Sequence, residues 1–571
     1  ATVAVANAAL PKAGGTMTGN IATKGISSVT AGSNNFVAGV NAGNSIVSGG
    51  DNNTLAGTNA GTAVTTGDFN TALGSQALAQ TNTSSQNTAI GGYAMYYNTT
   101  GGSNTAVGLQ ALLDNTTASN NTAIGMNALT NNTTGTQNTA LGGTSLAANT
   151  TANYNTGVGY NSLAANTTGA SNVAIGAAAL DANTTGASNV AVGRSALTAN
   201  TTGVENTAVG MRALVTNTTG DDNAAVGKDA LRYNTTGINN TATGVAALRD
   251  NTTASYNSAM GMYALAANTT GSYNTSLGMN ALKTNSTADF NTALGFDALG
   301  LNTTGANNCS LGVNALRDNT TGSFNTAFGR SALLVNTTAN QNVAIGGESL
   351  DANTTGSDNT AVGEQCLSAN TTGSDNTAVG TSSLGANTTG TDNTAVGKGA
   401  LDSNTTASRN TAVGKSALDA TTTGERNTAV GDSAGYSTTT GYRNTFLGFA
   451  ARGDNATASS EIVLGYDIQG VGSGYATLGY GSTKSYINAG YTSWAGTSDS
   501  RLKDNITTST VGLSFINDLR PVTFQWKVKG DVPAELDSYK EGSTARVNGT
   551  DKVQHGFIAQ EVKAAIDAHS D

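Results

Sequence analysis

The chain is poor in the residues that most chemistry needs. It has 2 cysteines, 2 histidines and 3 prolines in 571 residues. Cys309 and Cys366 lie 57 residues apart and are not expected to pair, which excludes a disulfide framework. With His555 and His569 as the whole histidine complement, a zinc site is not expected, and no metal or cofactor is implied. Charged residues make up 11% and aromatics 5%, both low for a cytosolic enzyme. The net charge of −10 is spread thinly and offers no basic face, so nucleic acid and acidic lipid are not expected partners. No apolar run approaches membrane-spanning length and no signal peptide is read at the start, so no membrane insertion is expected.

What the chain has instead is glycine, 73 of them, and a period. Asparagine recurs every 17 residues from Asn70 to Asn444, and a glycine stands four places after each, from Gly74 to Gly448, for 23 units in all. A period this strict is the signature of a solenoid in which each repeat is one coil stacked on the last. A disordered Gly/Ser/Thr-rich chain would not hold apolar residues in phase for so long. A typical unit is Asn206 to Asp222. Position four is apolar throughout (Leu73, Ile90, Val107, Ile124) except at Thr243, and position nine is Leu or Met from Leu78 to Leu418. Position three is Ala in 19 of 23 units, replaced by Gly157, Ser276, Ser310 and finally Phe446.

Strand alternation places positions two and four on one face and positions one, three and five on the other. On this reading the apolar residue at position four fills the coil interior. The column of alanines at position three then faces outward, where its small size admits another backbone, and is expected to form the axis of an oligomer. The glycine at position five ends the strand, and the Asn-Thr-Thr-Gly run at positions 12 to 15 supplies a second corner, so each coil is expected to be strand, corner, strand, corner. In-register asparagines can form hydrogen-bonded ladders, and 23 coils spaced like strands, ~4.8 Å apart, make a shaft of roughly 110 Å. These roles account for the Asn-Thr-Thr triplets better than glycosylation does. Asp358, Asp375 and Asp392 lie near the unit boundary, but the Gly-rich nonapeptide of calcium-binding β-rolls is absent. Cys366 stands at position eight in place of a small alanine and reads as a buried small residue; Cys309 is at position two.

The segments Ser171-Asn172-Val173-Ala174-Ile175-Gly176 and Asn342-Val343-Ala344-Ile345-Gly346 resemble the head repeats of trimeric autotransporter adhesins. The resemblance implies a parallel β-roll associated as a trimer, although those units are generally shorter than 17 residues. Near the start, the run from Ala9 through Pro11, Gly15, Met17 and Gly19 to Ile21 is similar to a short segment common in bacteriophage tail fibres, which implies attachment to a larger particle on the N-terminal side. Residues 1–24 therefore read as a fibre attachment segment, 25–69 as irregular lead-in coils and 70–448 as the solenoid shaft. Residues 449–497 gather Tyr466, Tyr475, Tyr480, Tyr486, Tyr491 and Trp494, which suit either a β-rich cap over the open solenoid end or a distal contact surface for sugar or protein.

Three blocks follow in order: Ser498-Asp499-Ser500-Arg501-Leu502-Lys503-Asp504-Asn505-Ile506, Leu519-Arg520-Pro521-Val522, and His555-Gly556-Phe557-Ile558-Ala559-Gln560-Glu561-Val562. Together they resemble the intramolecular chaperone of phage tailspikes and fibres, the peptidase S74 family. The resemblance covers 498–571 and implies a small α+β domain that aligns three chains and then cuts itself off before Ser498. It makes Ser498 the nucleophile and Lys503 its base. A hydroxyl needs a base to take its proton, and a lysine serves only with a lowered pKa, for which Arg501 is a candidate neighbour. Taken without the other blocks, the same residues would read as a serine cap and a solvated lysine. Family members generally continue past the Gln-Glu-Val helix, whereas this sequence stops at Asp571, so a shortened chaperone is the expectation.

The sequence thus predicts an all-β, trimeric parallel β-solenoid of 17-residue coils carrying a self-cleaving chaperone, cut at Thr497-Ser498. Its expected place is the virion, as a homotrimeric tail fibre or spike that joins the phage tail or baseplate and recognises a glycan or protein receptor on the host surface. No turnover enzyme is expected. One rival, a bacterial surface trimeric adhesin, should end in a membrane β-barrel, whose alternating strands are not seen here. The other, a glycan-degrading tailspike, usually needs two carboxylates poised across a sugar, and no insertion in the repeats would build that cleft.

Overall fold

In the computed structural model the described residues are 26–27, 32–488, 513–534, 539–547 and 553–569. The chain divides into two units, residues 1–489 and 490–571.

The first unit is a parallel β-solenoid of about 26 coils. Each regular coil carries one three-residue strand at positions two to four, from β4 (Thr71–Leu73) to β26 (Thr445–Leu447). Successive strands pair in parallel with every residue opposite its equivalent 17 places on, as Val190, Ala191 and Val192 face Thr207, Ala208 and Val209. Two lead-in coils bear β2 (Phe36–Ala38) and β3 (Thr54–Ala56), offset by 18 residues. At the far end come β27 (Ile462–Tyr466) and β28 (Tyr475–Tyr480), offset by 14. Both outer strands of the ladder are covered by an antiparallel neighbour: β1 (Ile26–Ser27) pairs with β2, and β29 (Thr483–Asn488) with β28. An uncovered parallel edge would template pairing with another chain, and these strands occupy it.

The faces are the reverse of those read from the alternation. Every position-three alanine of the regular coils is buried, from Ala72 to Ala429, whereas position four looks outward, with Leu73 52% and Ile345 38% exposed. The small residues are the coil interior and not an external axis. The reason is the narrow cross-section. Leucines at position nine, such as Leu214 and Leu231, are fully buried, and with a leucine on one wall only an alanine fits opposite. Where the wall changes, the partner changes with it. Position nine becomes glycine at Gly43, Gly61 and Gly435. A Cβ on Gly61 would lie 2.8 Å from Leu55, and one on Gly435 would lie 2.6 Å from Phe446, both large residues at position three.

The expected second strand is absent from the regular coils. Residues at positions seven and nine take left-handed backbone in coil after coil, for example Arg212 (φ 58°) and Leu214 (φ 50°), which bends the chain where a strand would run straight. A buried leucine in that conformation is strained. It is held there because its N–H donates to the position-eight carbonyl of the next coil, as Leu214 does to Ala230 at 3.0 Å, and because its side chain is worth roughly 1.5–3 kcal/mol in the core. Close backbone approach falls on position five: Gly227 has φ 135°, and a Cβ there would stand 2.4 Å from the Gly244 carbonyl oxygen.

Two asparagine ladders run through the interior. At position one, the Asn104 backbone N–H donates to Asn87 Oδ1 at 3.0 Å while its Nδ2 donates to the Ala118 carbonyl at 2.9 Å. At position twelve, Asn132 Nδ2 donates to Asn115 Oδ1 at 3.1 Å and to the Gly135 carbonyl at 2.9 Å. Threonines at position thirteen add an outer ladder, Thr201 Oγ1 donating to the Thr218 carbonyl at 3.1 Å. Buried amides are costly unless paired, and here each coil satisfies the last until Asn404, whose Oδ1 has no partner where Thr421 replaces the next asparagine of position twelve. The Nδ2 that would carry a glycan on the Asn-Thr-Thr triplets is inside the shaft and hydrogen-bonded, as at Asn200. Cys366 is buried in the same interior, its Sγ 3.2 Å from the Ala378 carbonyl oxygen, with burial pushing the thiol up to about 12. Cys309 is half-buried, and neither cysteine is in a disulfide.

The first ladder ends in a carboxylate. Glu461 takes position one of the last coil and is fully buried. Its N–H donates to Asn444 Oδ1 at 2.9 Å. Its own oxygens accept from the backbone N–H groups of Asp454 at 3.1 Å and Gly472 at 2.8 Å. An ionised carboxylate can accept but not donate, so the chain of amides stops there. Burial raises the Glu461 pKa above its ordinary value, against those two hydrogen bonds.

Candidate functional site

The second unit carries little regular structure among its described residues. Helix α1 (Leu513–Asp518) precedes β30 (Val522–Phe524), a single 3-10 turn spans Lys529–Asp531, β31 (Gln554–Gly556) pairs antiparallel with β30, and α2 (Ala559–His569) closes the run. The hairpin brings the second and third blocks together: Val522 faces Gly556 and Thr523 faces His555. Arg520 then reaches Glu561 at the start of α2 in a two-pronged pair, Nε to Oε2 at 3.2 Å and Nη2 to Oε1 at 2.5 Å. That pair holds the Glu561 carboxyl below the usual range, first through the hydrogen bond and then through the charge. At the far end of α2, His569 Nε2 lies 2.6 Å from Asp518 Oδ2, with its ring edge-on to Phe515 at 6.0 Å. The two helices are thus tied at their C-terminal ends by a side-chain contact.

The described residues of this unit enclose almost no interior. Among its described residues only Val532 and Ala565 are buried apolar side chains. Ile516 is 59% exposed, Phe557 52% and Ile566 49%. An open groove of about 480 Å³ is lined by Phe524, Trp526, Val532, Pro533, Val547 and Phe557 among others. The described residues thus leave aromatic and branched side chains in water, and by themselves bury too little area to be stable.

Ser498 and Lys503, the predicted nucleophile and base, lie outside the described residues, as do Thr497, Asp499 and Arg501. So do the attachment segment at 1–24 and the aromatic residues Tyr491 and Trp494. Of the remaining aromatics in the 449–497 stretch, Tyr466 and Tyr480 stack with Phe449 in an exposed column at 5.0 and 5.1 Å spacing. A similar column, Tyr256, Tyr273 and Phe290, occurs in mid-shaft, unforeseen in the sequence although the 17-residue offset of the three aromatics was its signal. In both columns the ring faces are covered by one another, so only edges and end rings are open to a ligand. Asp358, Asp375 and Asp392 form an exposed column followed by Arg409, with Arg409 4.0 Å from Asp392. Among the described residues no group of three potential metal ligands occurs.

Residues 498–571 match the peptidase S74 family, described as the chaperone of endosialidase. No curated protein and no solved structure matches the chain. A solenoid of about 26 coils followed by this chaperone fits a tail fibre or tailspike with a C-terminal chaperone, and the chaperone family implies trimerisation.

Proposed function

We propose that the protein is the shaft of a homotrimeric bacteriophage tail fibre or tailspike, joined to the tail or baseplate on its N-terminal side, that recognises and adheres to a host-surface glycan or protein. Its C-terminal unit aligns three chains and then releases itself by attack of Ser498 on the Thr497-Ser498 bond, with Lys503 as base. The observation that carries this reading is the chaperone match at 498–571, C-terminal to a repeat array whose coils are nearly interchangeable.

The physical need is clear from the ladders. Each coil offers the same donors and acceptors as the next, so a chain slipped by 17 residues against its neighbours keeps nearly all local contacts and becomes trapped. A domain that joins three ends first removes that degeneracy, and cutting it away afterwards makes the product kinetically stable. In this scheme Ser498 Oγ adds to the Thr497 carbonyl carbon as Lys503 takes the hydroxyl proton. The proton passes to the departing Ser498 amine, and water then hydrolyses the resulting ester.

The test is the intact mass of the purified protein beside Ser498→Ala and Lys503→Ala, together with adsorption of the processed fibre to host cells. The expected result is a wild-type chain ending at Thr497, two uncut variants, and saturable adsorption. An uncut wild type in a folded trimer would overturn the catalytic assignment and make 498–571 a permanent clamp. Absence of adsorption would overturn the adhesive role alone.

A further inference from the structure

We propose that three copies of the shaft meet along the outward face of the strand ladder, positions two and four of each coil, as an uncharged seam that is apolar at position four and mostly threonine at position two, from Thr71 to Leu447. This deepens the homotrimer reading and rests on it.

The seam differs from the outward columns that carry charge, and from the uncharged threonine columns at positions thirteen and fourteen in being apolar at position four. Its two positions are 46 residues over the 23 regular coils, and not one is charged, in a chain with 26 Lys and Arg and 36 Asp and Glu. Position seventeen, also outward, carries Asp358, Asp375, Asp392, Arg409, Arg426 and Arg443 in succession. Position four is apolar in 22 of 23 coils, although it fills no part of the coil interior. Nothing inside one chain explains that selection. No position-four side chain of the seam is buried: exposure runs from half-buried at Val107 and Val209 to 52% at Leu73 and Met260.

The area decides the occupant. A half-exposed branched side chain presents on the order of 60–80 Å², so the seam amounts to roughly 1,500 Å² per chain, against about 800 Å² per partner in an interface of standard size. Monomers seldom leave more than a few hundred Å² of contiguous apolar surface in water. A straight seam whose chemistry repeats every coil is matched along its full length only by something with the same repeat, which is another copy in the same register. The bare C-terminal unit, with two buried apolar side chains among its described residues, needs the same partners.

Cys309 stands at position two on this face, while Cys366 is sealed in the interior, so the protein carries its own probe. The experiment treats the assembled fibre with a short bismaleimide and compares it with Cys309→Ser carrying Ser188→Cys, at position seventeen. Cross-linked chains at twice the monomer mass are expected from the first, at least tenfold more than from the second. Sedimentation is run on the same samples, with Val226→Glu/Val396→Glu as a further variant that should lose the trimer. Preferential linking through position seventeen, or a trimer undisturbed by both glutamates, would overturn the seam while leaving the trimer. A wild-type fibre that sediments as a single chain would overturn the trimer itself.

Discussion

The shaft and the C-terminal unit solve opposite halves of one problem. In the shaft most regular coils close their own interior with alanine, leucine and two paired asparagines, so the fold is complete within one chain, but little distinguishes one such coil from another. The C-terminal unit has a unique sequence and specific cross-ties, Arg520 to Glu561 and His569 to Asp518, yet its described residues bury almost nothing. Structural completeness and positional information are carried by different parts of the chain. A repeat that stacks well on its neighbours is for that reason a poor source of register.

The comparison breaks most severely if the register-giving part is removed. Without residues 498–571 the yield of soluble trimer should fall by about an order of magnitude or more, through slipped assemblies that aggregate. Sedimentation velocity at matched expression reads this, and an undiminished yield would show that the coils set register themselves. The next effect contrasts two glycines. Gly227→Val puts a branched side chain at φ 135° with its Cβ 2.4 Å from a carbonyl oxygen, and strain plus overpacking should cost on the order of 3–5 kcal/mol. Gly542→Ala, at φ 69° with nothing near its Cβ, should cost only about 1 kcal/mol. Hydrogen exchange of the affected segment measures both.

A third test concerns the shaft interior. Ala242→Leu should destabilise its coils by about 1–3 kcal/mol through overpacking, and adding Leu248→Gly in the same coil should recover most of that loss in thermal unfolding. This swap bears on what was legible in the sequence. The period, the parallel stacking, the asparagine ladders and the C-terminal chaperone all follow from residue spacing or motif. The assignment of faces does not, because alternation defines two faces without saying which is inside. That depends on the width of the coil, set by Leu214 and its equivalents opposite Ala208 and its equivalents. The clue was present in the chain: Leu55 occurs with Gly61, and Phe446 follows Gly435, a reciprocal change in size across one cavity. The missing second strand was harder to foresee, since a leucine held at φ 50° leaves no mark in composition. The proposed nucleophile and base, Ser498 and Lys503, were legible only as motif and fall outside the described residues.

Smaller effects separate the two units by pH and by charge. Burial holds the Glu461 carboxyl above its ordinary 4.5, so its contribution to the cap is complete below that value and declines as pH rises through the raised one. Proteolytic resistance of residues 462–488 should therefore weaken as pH rises above the ordinary carboxyl value of 4.5, and Glu461→Gln should flatten that profile. The smallest effect belongs to Arg520→Ala. It removes an exposed pair with Glu561, so the melting of the shaft should be unchanged, while the rate of trimer formation, followed by light scattering, should slow.

The uniform 17-residue offset also has a consequence for heredity. Because every coil presents the same upper and lower surface, a genetic exchange between any two repeats adds or removes whole coils and leaves every remaining junction intact. The reach of the fibre can then change in steps of ~4.8 Å by copying errors alone, without one new contact having to be invented.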